Sequence, residues 1–248
     1  MSDAIPPPPR PTADELRDLV DELRDRAGTA RHRYCVALAG DADWCRTTAA
    51  ALVADTEAVL WVGEAAPDTV RGVSAREAGR LLGQETGTVV FDAHSGFDPD
   101  ALGAVSGTVT GGGLLFLLTP PLAEWPRFPD PEYRRITVYP YGPEAVGGRF
   151  LARLAGLLRR EPTVMLVEQG GPVPSLPAVA PAAVSSTPGD GECRTEDQHH
   201  AVEAVVKVAT GKRRRPVVLT SDRGRGKSSA LGIAAARLLR QGHQHIVV

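Results

Sequence analysis

Residues 89–118 read VVFDAHSGFDPDALGAVSGTVTGGGLLFLL. An apolar run over Thr88–Phe91 gives way to a polar turn, Pro99–Ser106 reads as a short helix, and Leu114–Leu118 is a second apolar run. Two short β-type runs joined through a helix form the unit of a parallel sheet, because a parallel pair needs a crossover connection. Apart from Thr88, both runs are apolar at every position rather than at alternate ones, as in strands covered on both faces. The same alternation continues on either side. Towards the N-terminus, Tyr34–Ala39 and Ala58–Val62 read as strands, with an alanine-rich helix over Asp43–Asp55 and a helix over Ala75–Leu82. Towards the C-terminus, Ile136–Tyr139 and Thr163–Val167 read as strands around a long amphipathic helix, Glu144–Arg160. Six strands alternating with helices predict a three-layer, Rossmann-like α/β domain over residues 30–168.

Ahead of this domain, residues 1–29 hold a proline-rich start and a charged helix over Asp14–Ala27, with Thr12 and Glu15 spaced as a capping box. Behind it, residues 169–194 form a Pro/Gly-rich linker without periodicity. A second unit begins at Thr195. It comprises a helix with an apolar stripe at Val202, Val205, Val206 and Ala209, a basic loop at Lys212–Arg215, and a strand over Pro216–Thr220. A helix over Ser229–Arg240 and the opening of a strand at His245–Val248 complete it. Two strands and two helices leave apolar faces open. Residues 195–248 therefore read as an incomplete P-loop (RecA-like) NTPase unit.

Composition narrows the function classes. The chain has 248 residues, 42% hydrophobic and 23% charged, within the soluble globular range. No apolar run approaches the roughly 18 residues that span a bilayer, which argues against an integral membrane protein. Met1–Pro11 has neither a basic nor an apolar signal-peptide region, so Cys35, Cys45 and Cys193 are expected as thiols in a cytoplasmic protein. The net charge of −2 hides an asymmetry, because residues 190–248 carry eleven Lys/Arg against six Asp/Glu. A basic C-terminal piece points to a polyanionic partner, nucleotide or nucleic acid.

The strongest chemical signal is PVVLT-SDRGRGKS-SALGIAAARLL, residues 216–239. It follows the Walker A pattern except at the first glycine, where Ser221 stands. A β-branched run leads in and a small-residue helix leads out. Gly224 and Gly226 allow backbone amides to close on a phosphate, and the helix N-terminus adds partial positive charge. Lys227 would reach the β- and γ-phosphates, and Ser228 would ligate Mg²⁺. The expected nucleotide set is Gln198, Arg223, Gly224, Arg225, Gly226, Lys227, Ser228 and Ser229, with ATP or GTP and Mg²⁺ as ligands. Gln198, at the start of the preceding helix, reads either as a capping residue or as an adenine contact. The carboxylates that complete a P-loop ATPase belong on a later strand and are expected beyond Val248, so no catalytic residue is assigned within this chain.

Two groups of residues carry a resemblance. One is VLTSDRGRGKSSALGIAAA (218–236). The other comprises GDADWC (40–45), LWVGE (60–64), residues 89–126 and VEQGGPVP (167–174). Together they resemble the bacterial tRNA(Met) cytidine acetyltransferase family and its archaeal and eukaryotic RNA cytidine acetyltransferase relatives. In that family the phosphate loop also carries a non-glycine residue where Ser221 stands, and Gln198 matches an upstream glutamine. The resemblance implies an N-terminal α/β domain followed by a helicase-like ATPase, an acetyltransferase domain and a tRNA-binding region. It also implies N4-acetylation of the wobble cytidine of elongator tRNA(Met), driven by ATP or GTP. Acetyl-CoA would be a substrate of the whole enzyme, with no site in these residues. Partners would be nucleoside triphosphate and tRNA, with no membrane. The alternative reading is a stand-alone, non-catalytic remnant that serves as an interaction or scaffolding module.

Asp92, His94 and Asp98 follow a strand at the carboxyl edge of the expected sheet, where open α/β folds bind ligands. An Asx-type turn with Asp98 capping the next helix accounts for the same pattern. Gly111–Gly113 precedes a strand and reads as a flexible turn.

Overall fold

The computed structural model describes residues 11–178, 191–211, 216–221 and 226–246. The chain divides into two compact units, Met1–Pro181 and Ala182–Val248.

The first unit is built on a six-stranded, all-parallel sheet. Its strands are β1 (Tyr34–Ala39), β2 (Val59–Val62), β3 (Arg71–Val73), β4 (Thr86–Asp92), β5 (Val109–Thr119) and β6 (Val164–Glu168), in the spatial order β3-β2-β4-β5-β1-β6. Successive side chains of a strand point to opposite faces, and both faces are covered. Tyr34, Val36 and Leu38 of β1 join one core, whereas Ala37 and Ala39 join the other. The first core is closed by α1 (Ala13–Ala30) and α2 (Ala42–Val53), which bury Leu16, Val20, Leu23, Cys45, Ala49 and Leu52. The second is closed by a 3₁₀ segment at Ala75–Leu81, by α3 (Pro99–Ser106) and by α5 (Arg149–Arg160), with Leu122 and Trp125 between them. The three-layer α/β expectation holds.

The N-terminal helix is part of this architecture rather than an appendage. The Thr12–Glu15 capping box is formed, and its buried stripe packs on the sheet. Part of the proline-rich stretch also lies against the sheet, since Leu176 packs on the first core and the Ala178 amide donates to the Pro162 carbonyl.

Three expectations change. Ile136–Tyr139 is not a strand: a short helix, α4 (Tyr133–Ile136), ends there and Val138 and Tyr139 are exposed. Its alternating pattern suits a strand, yet it pairs with neither edge strand of the sheet, β6 or β3. The sixth strand is instead β3, an Arg-Gly-Val edge segment with no apolar run to reveal it, identified only through pairing with β2. Gly111–Gly113 is not a turn but the opening of β5. There the register with β4 shifts between Thr86 and Thr88, and Gly112 has φ +98°. A Cβ on Gly113 would lie 2.2 Å from the Gly87 carbonyl oxygen, so only glycine lets the two strands close. The long helix is likewise shorter than expected, starting at Arg149, because Gly147 and Gly148 interrupt it.

The second unit packs α6 (Glu196–Thr210) against α7 (Lys227–Arg240) through Val202, Ala230 and Ala234. Arg237 bridges Glu192 and Glu203, and Arg240 pairs with Glu192. The expected strand at Pro216–Thr220 is not formed among the described residues; nor are His245 and Ile246 in a strand. A strand is a hydrogen-bonded ladder, and no described residue pairs with either segment. Val247 and Val248 lie outside the described residues.

Candidate functional site

In the second unit the phosphate-loop sequence meets the start of α7. Gly226 caps that helix with φ +81°, a left-handed conformation that glycine adopts without steric cost. The Lys227 ammonium reaches back to Ser221 and donates to its carbonyl at 2.5 Å and to its hydroxyl at 3.2 Å. The first and seventh residues of the eight-residue loop are thereby tied together. Ser228 and Ser229 sit in the first turn of α7. Arg223, Gly224 and Arg225 lie outside the described residues, as does Lys212–Arg215.

Gln198 stands beside this loop. Thr195 caps α6 and accepts from the Gln198 amide at 3.2 Å. The Gln198 side chain accepts from the Arg194 amide at 2.8 Å, and its amide nitrogen lies 3.5 Å from the Gly226 carbonyl oxygen. The structure thus brings together Gln198, Gly226, Lys227 and the N-terminal turn of a helix. In that turn the first amides have no intrahelical partner and the dipole favours an anion.

The first unit offers a crevice of a different kind. β1 and β5 are neighbours, yet the chain leaves β1 for α2 on one face and leaves β5 for Leu122, Trp125 and α5 on the other. Connections that part to opposite faces open a crevice at the carboxyl edge. A cavity of about 650 Å³ occupies this place, walled by Gly40–Ala42 after β1 and by Pro120 and Pro121 after β5, with His94, Glu124, Arg127 and Phe128 around it.

The residues beneath the cavity are heavily committed. Asp41 caps α2 through the Trp44 amide, which, with the Gln169 side chain, holds its carboxyl below the usual carboxylate range. Its carboxylate thus occupies the position that a phosphate would take at this helix terminus. Asp92, only 1% exposed, accepts from Arg46, Ser95 and the His94 amide at 2.9–3.0 Å. A Cβ on Gly63 would come within 2.8 Å of the Asp92 Cβ, so the carboxylate is clamped from the neighbouring strand end. His94 stacks edge-on against Phe128, and burial lowers its pKa despite the nearby Asp92. Its Nε2 is buried with no hydrogen-bond partner among the described residues. Asp98 caps α3 and pairs with Arg135 at 3.2 Å. Of the three polar residues singled out after β4, His94 alone lines the crevice; Asp92 and Asp98 serve the turn and the helix cap. Sequence reasoning missed Arg46 and Gln169, which act only through partners distant along the chain.

Residues 9–169 match the family described as tRNA(Met) cytidine acetyltransferase TmcA, N-terminal. The chain belongs to this family. Residues 218–248 match the RNA cytidine acetyltransferase NAT10/TcmA helicase domain, which places the loop at the head of that domain's sequence. The chain is 53% identical over 245 residues to the tRNA(Met) cytidine acetyltransferase TmcA of Nitrosococcus halophilus, covering 96% of this chain and 33% of that protein. The TmcA proteins of Haloarcula marismortui and Vibrio cholerae are 38% and 32% identical, with 89% and 92% of this chain covered. The chain spans about a third of the length of these TmcA relatives and corresponds to their N-terminal portion. Among the described residues, no helix is long and apolar enough to cross a membrane.

Proposed function

We propose that this chain forms the N-terminal third of a tRNA(Met) cytidine acetyltransferase and that its second unit begins a site for ATP or GTP with Mg²⁺. The family match over residues 9–169 supports the first part. The second rests on one observation: Lys227 leads α7 directly after a left-handed glycine and reaches back to Ser221. A lysine in that place can exchange a carbonyl and a hydroxyl for the β- and γ-oxygens of a triphosphate. The trade favours the ligand, because triphosphate oxygens carry a formal negative charge that a carbonyl or hydroxyl oxygen lacks, so the ammonium gains a direct charge–charge attraction.

Residue roles follow from chemistry. Gly224 and Gly226 would keep Cβ atoms away from the phosphates, and Arg223 and Arg225 would add positive charge at the rim. Ser229 would offer its amide to the anion, and the Ser228 hydroxyl would hold Mg²⁺. Gln198, next to Gly226, would hydrogen-bond the purine edge. A bound Mg²⁺ would neutralise phosphate charge and orient the triphosphate. Acetyl-CoA, the acetyl-transfer chemistry and tRNA(Met) as acceptor belong to the whole enzyme, acting in the cytoplasm.

Lys227→Ala tests the site. In the full-length gene product, titration with a fluorescent triphosphate analogue should give saturable binding that this variant loses. Undiminished affinity in the variant would refute the assignment.

A further inference from the structure

The first unit carries a surface whose composition contrasts with the rest of the domain. Residues 133–160 hold six arginines and one carboxylate, Glu144, whereas residues 1–132 hold eleven Lys/Arg against 21 Asp/Glu. Two of the six arginines are committed: Arg135 to Glu132 and Asp98, and Arg159 to Glu168. Arg134, Arg149, Arg153 and Arg160 are exposed. On α5, Arg149, Arg153 and Arg160 follow one another at i, i+4 and i+11, which puts them along one stripe. Leu151, Ala155 and Leu158 are buried on the opposite side of that helix.

Ahead of this stripe in the sequence stands an exposed apolar loop. Val138, Tyr139 and Tyr141 are 75%, 95% and 70% exposed. The loop leaves α4 after Ile136 and reaches Pro143, and Arg134 and Pro143 on either side of it line a cavity of about 700 Å³ walled also by Phe128 and Tyr133. Isolated exposed apolar residues are ordinary, but a run of them beside a concavity marks an interaction site.

We propose that this surface binds single-stranded RNA, with Tyr139 and Tyr141 stacking on bases and Arg134, Arg149 and Arg153 contacting phosphates. Exposed aromatic rings and exposed arginines that make no ion pair among the described residues are the two components of single-strand recognition. A protein partner would have to bring its own acidic face to these arginines, whereas a nucleic acid carries a negative phosphate at every nucleotide. The class of partner accords with the proposed function; the surface itself is independent of the nucleotide loop.

The test is fluorescence anisotropy of a labelled oligouridylate titrated with the 248-residue chain over a range of salt concentrations. The wild-type chain should bind. Tyr139→Ser with Tyr141→Ser should weaken binding by about tenfold or more, the scale expected for losing base stacking. Arg149→Gln with Arg153→Gln should lower the slope of log affinity against log salt by about 1.4, two contacts at roughly 0.7 each. All four side chains are exposed, so thermal melts of the variants should match the wild type. Lys227→Ala should leave RNA affinity unchanged, which separates this surface from the nucleotide site. Binding that survives both double variants would assign RNA to another tract, such as Lys212–Arg215, and overturn the proposal. So would a chain that binds no RNA but self-associates through the tyrosines in sedimentation.

Discussion

Arg46 and Asp92 are 46 residues apart in sequence and joined by a hydrogen bond from Nε at 2.9 Å and an ion-pair contact from Nη2 at 2.9 Å, both to one carboxylate oxygen. Because the Asp92 side chain is wholly buried, removing its partner leaves a charge that water cannot reach. Arg46→Met should lower unfolding free energy by about 3 kcal/mol in urea denaturation, the usual cost of orphaning one half of a buried pair; a loss below about 0.5 kcal/mol would show the pair to be dispensable. His94 supplies a pH signature. Burial holds its pKa down, so as pH falls through about 6.5 the unfolded chain takes up that proton before the folded one. Stability from this site is therefore full above that pH and declines below it. Asp41 and Asp92 oppose the shift and Arg46 reinforces it. Melting temperatures between about pH 7.5 and 5 should fall less steeply for His94→Gln than for the wild type; equal slopes would exclude His94 as the source. At this scale the sequence marks Asp92 and His94 as noteworthy, because polar residues ending an apolar strand are conspicuous. It does not reveal Arg46 or Gln169, whose roles come from contacts across 46 and 128 residues.

At the scale of elements, continuous apolar runs identify the central strands because both faces of the sheet are covered. Tyr34–Ala39 carries its own signal, whereas Arg71–Val73 carries none: an edge strand is defined by its neighbour, here β2. Ile136–Tyr139 shows the converse, with strand-like alternation in a segment that no sheet edge receives. The glycines of β5 mislead for a related reason, since a triple glycine suggests a turn when read alone. Here it lets β5 pass under the α1–β1 connection, where the Gly112 amide donates to the His32 carbonyl at 2.7 Å. Gly113→Ala would force a Cβ into the Gly87 carbonyl. A stability loss of about 2 kcal/mol is expected, within the range for overpacking, with chemical-shift changes confined to β4 and β5. A neutral substitution would mean that this bulge relaxes freely.

For the whole molecule, the acidic and basic halves of the sequence correspond to different chemistry. The first unit is a finished α/β layer structure whose switch-point crevice is lined by carboxylates, a neutral-leaning histidine and apolar groups. The second is a helix pair carrying a phosphate-loop sequence that opens a helicase-like domain in relatives about three times as long. Motif and family context made that loop legible in sequence, because Gly-Lys-Ser before a small-residue helix has few other uses. The strand expected ahead of it was not realised, since a strand needs a partner and the described residues provide none.

We propose a single role for this chain, that of the nucleotide-binding N-terminal portion of a cytidine acetyltransferase. Its most direct test is mass spectrometry of tRNA(Met) nucleosides after incubation with the full-length gene product, acetyl-CoA and ATP or GTP. Triphosphate-dependent N4-acetylcytidine that disappears with Lys227→Ala is the predicted result. Wild-type protein that yields none, or a Lys227→Ala variant that acetylates as well as wild type, would contradict it.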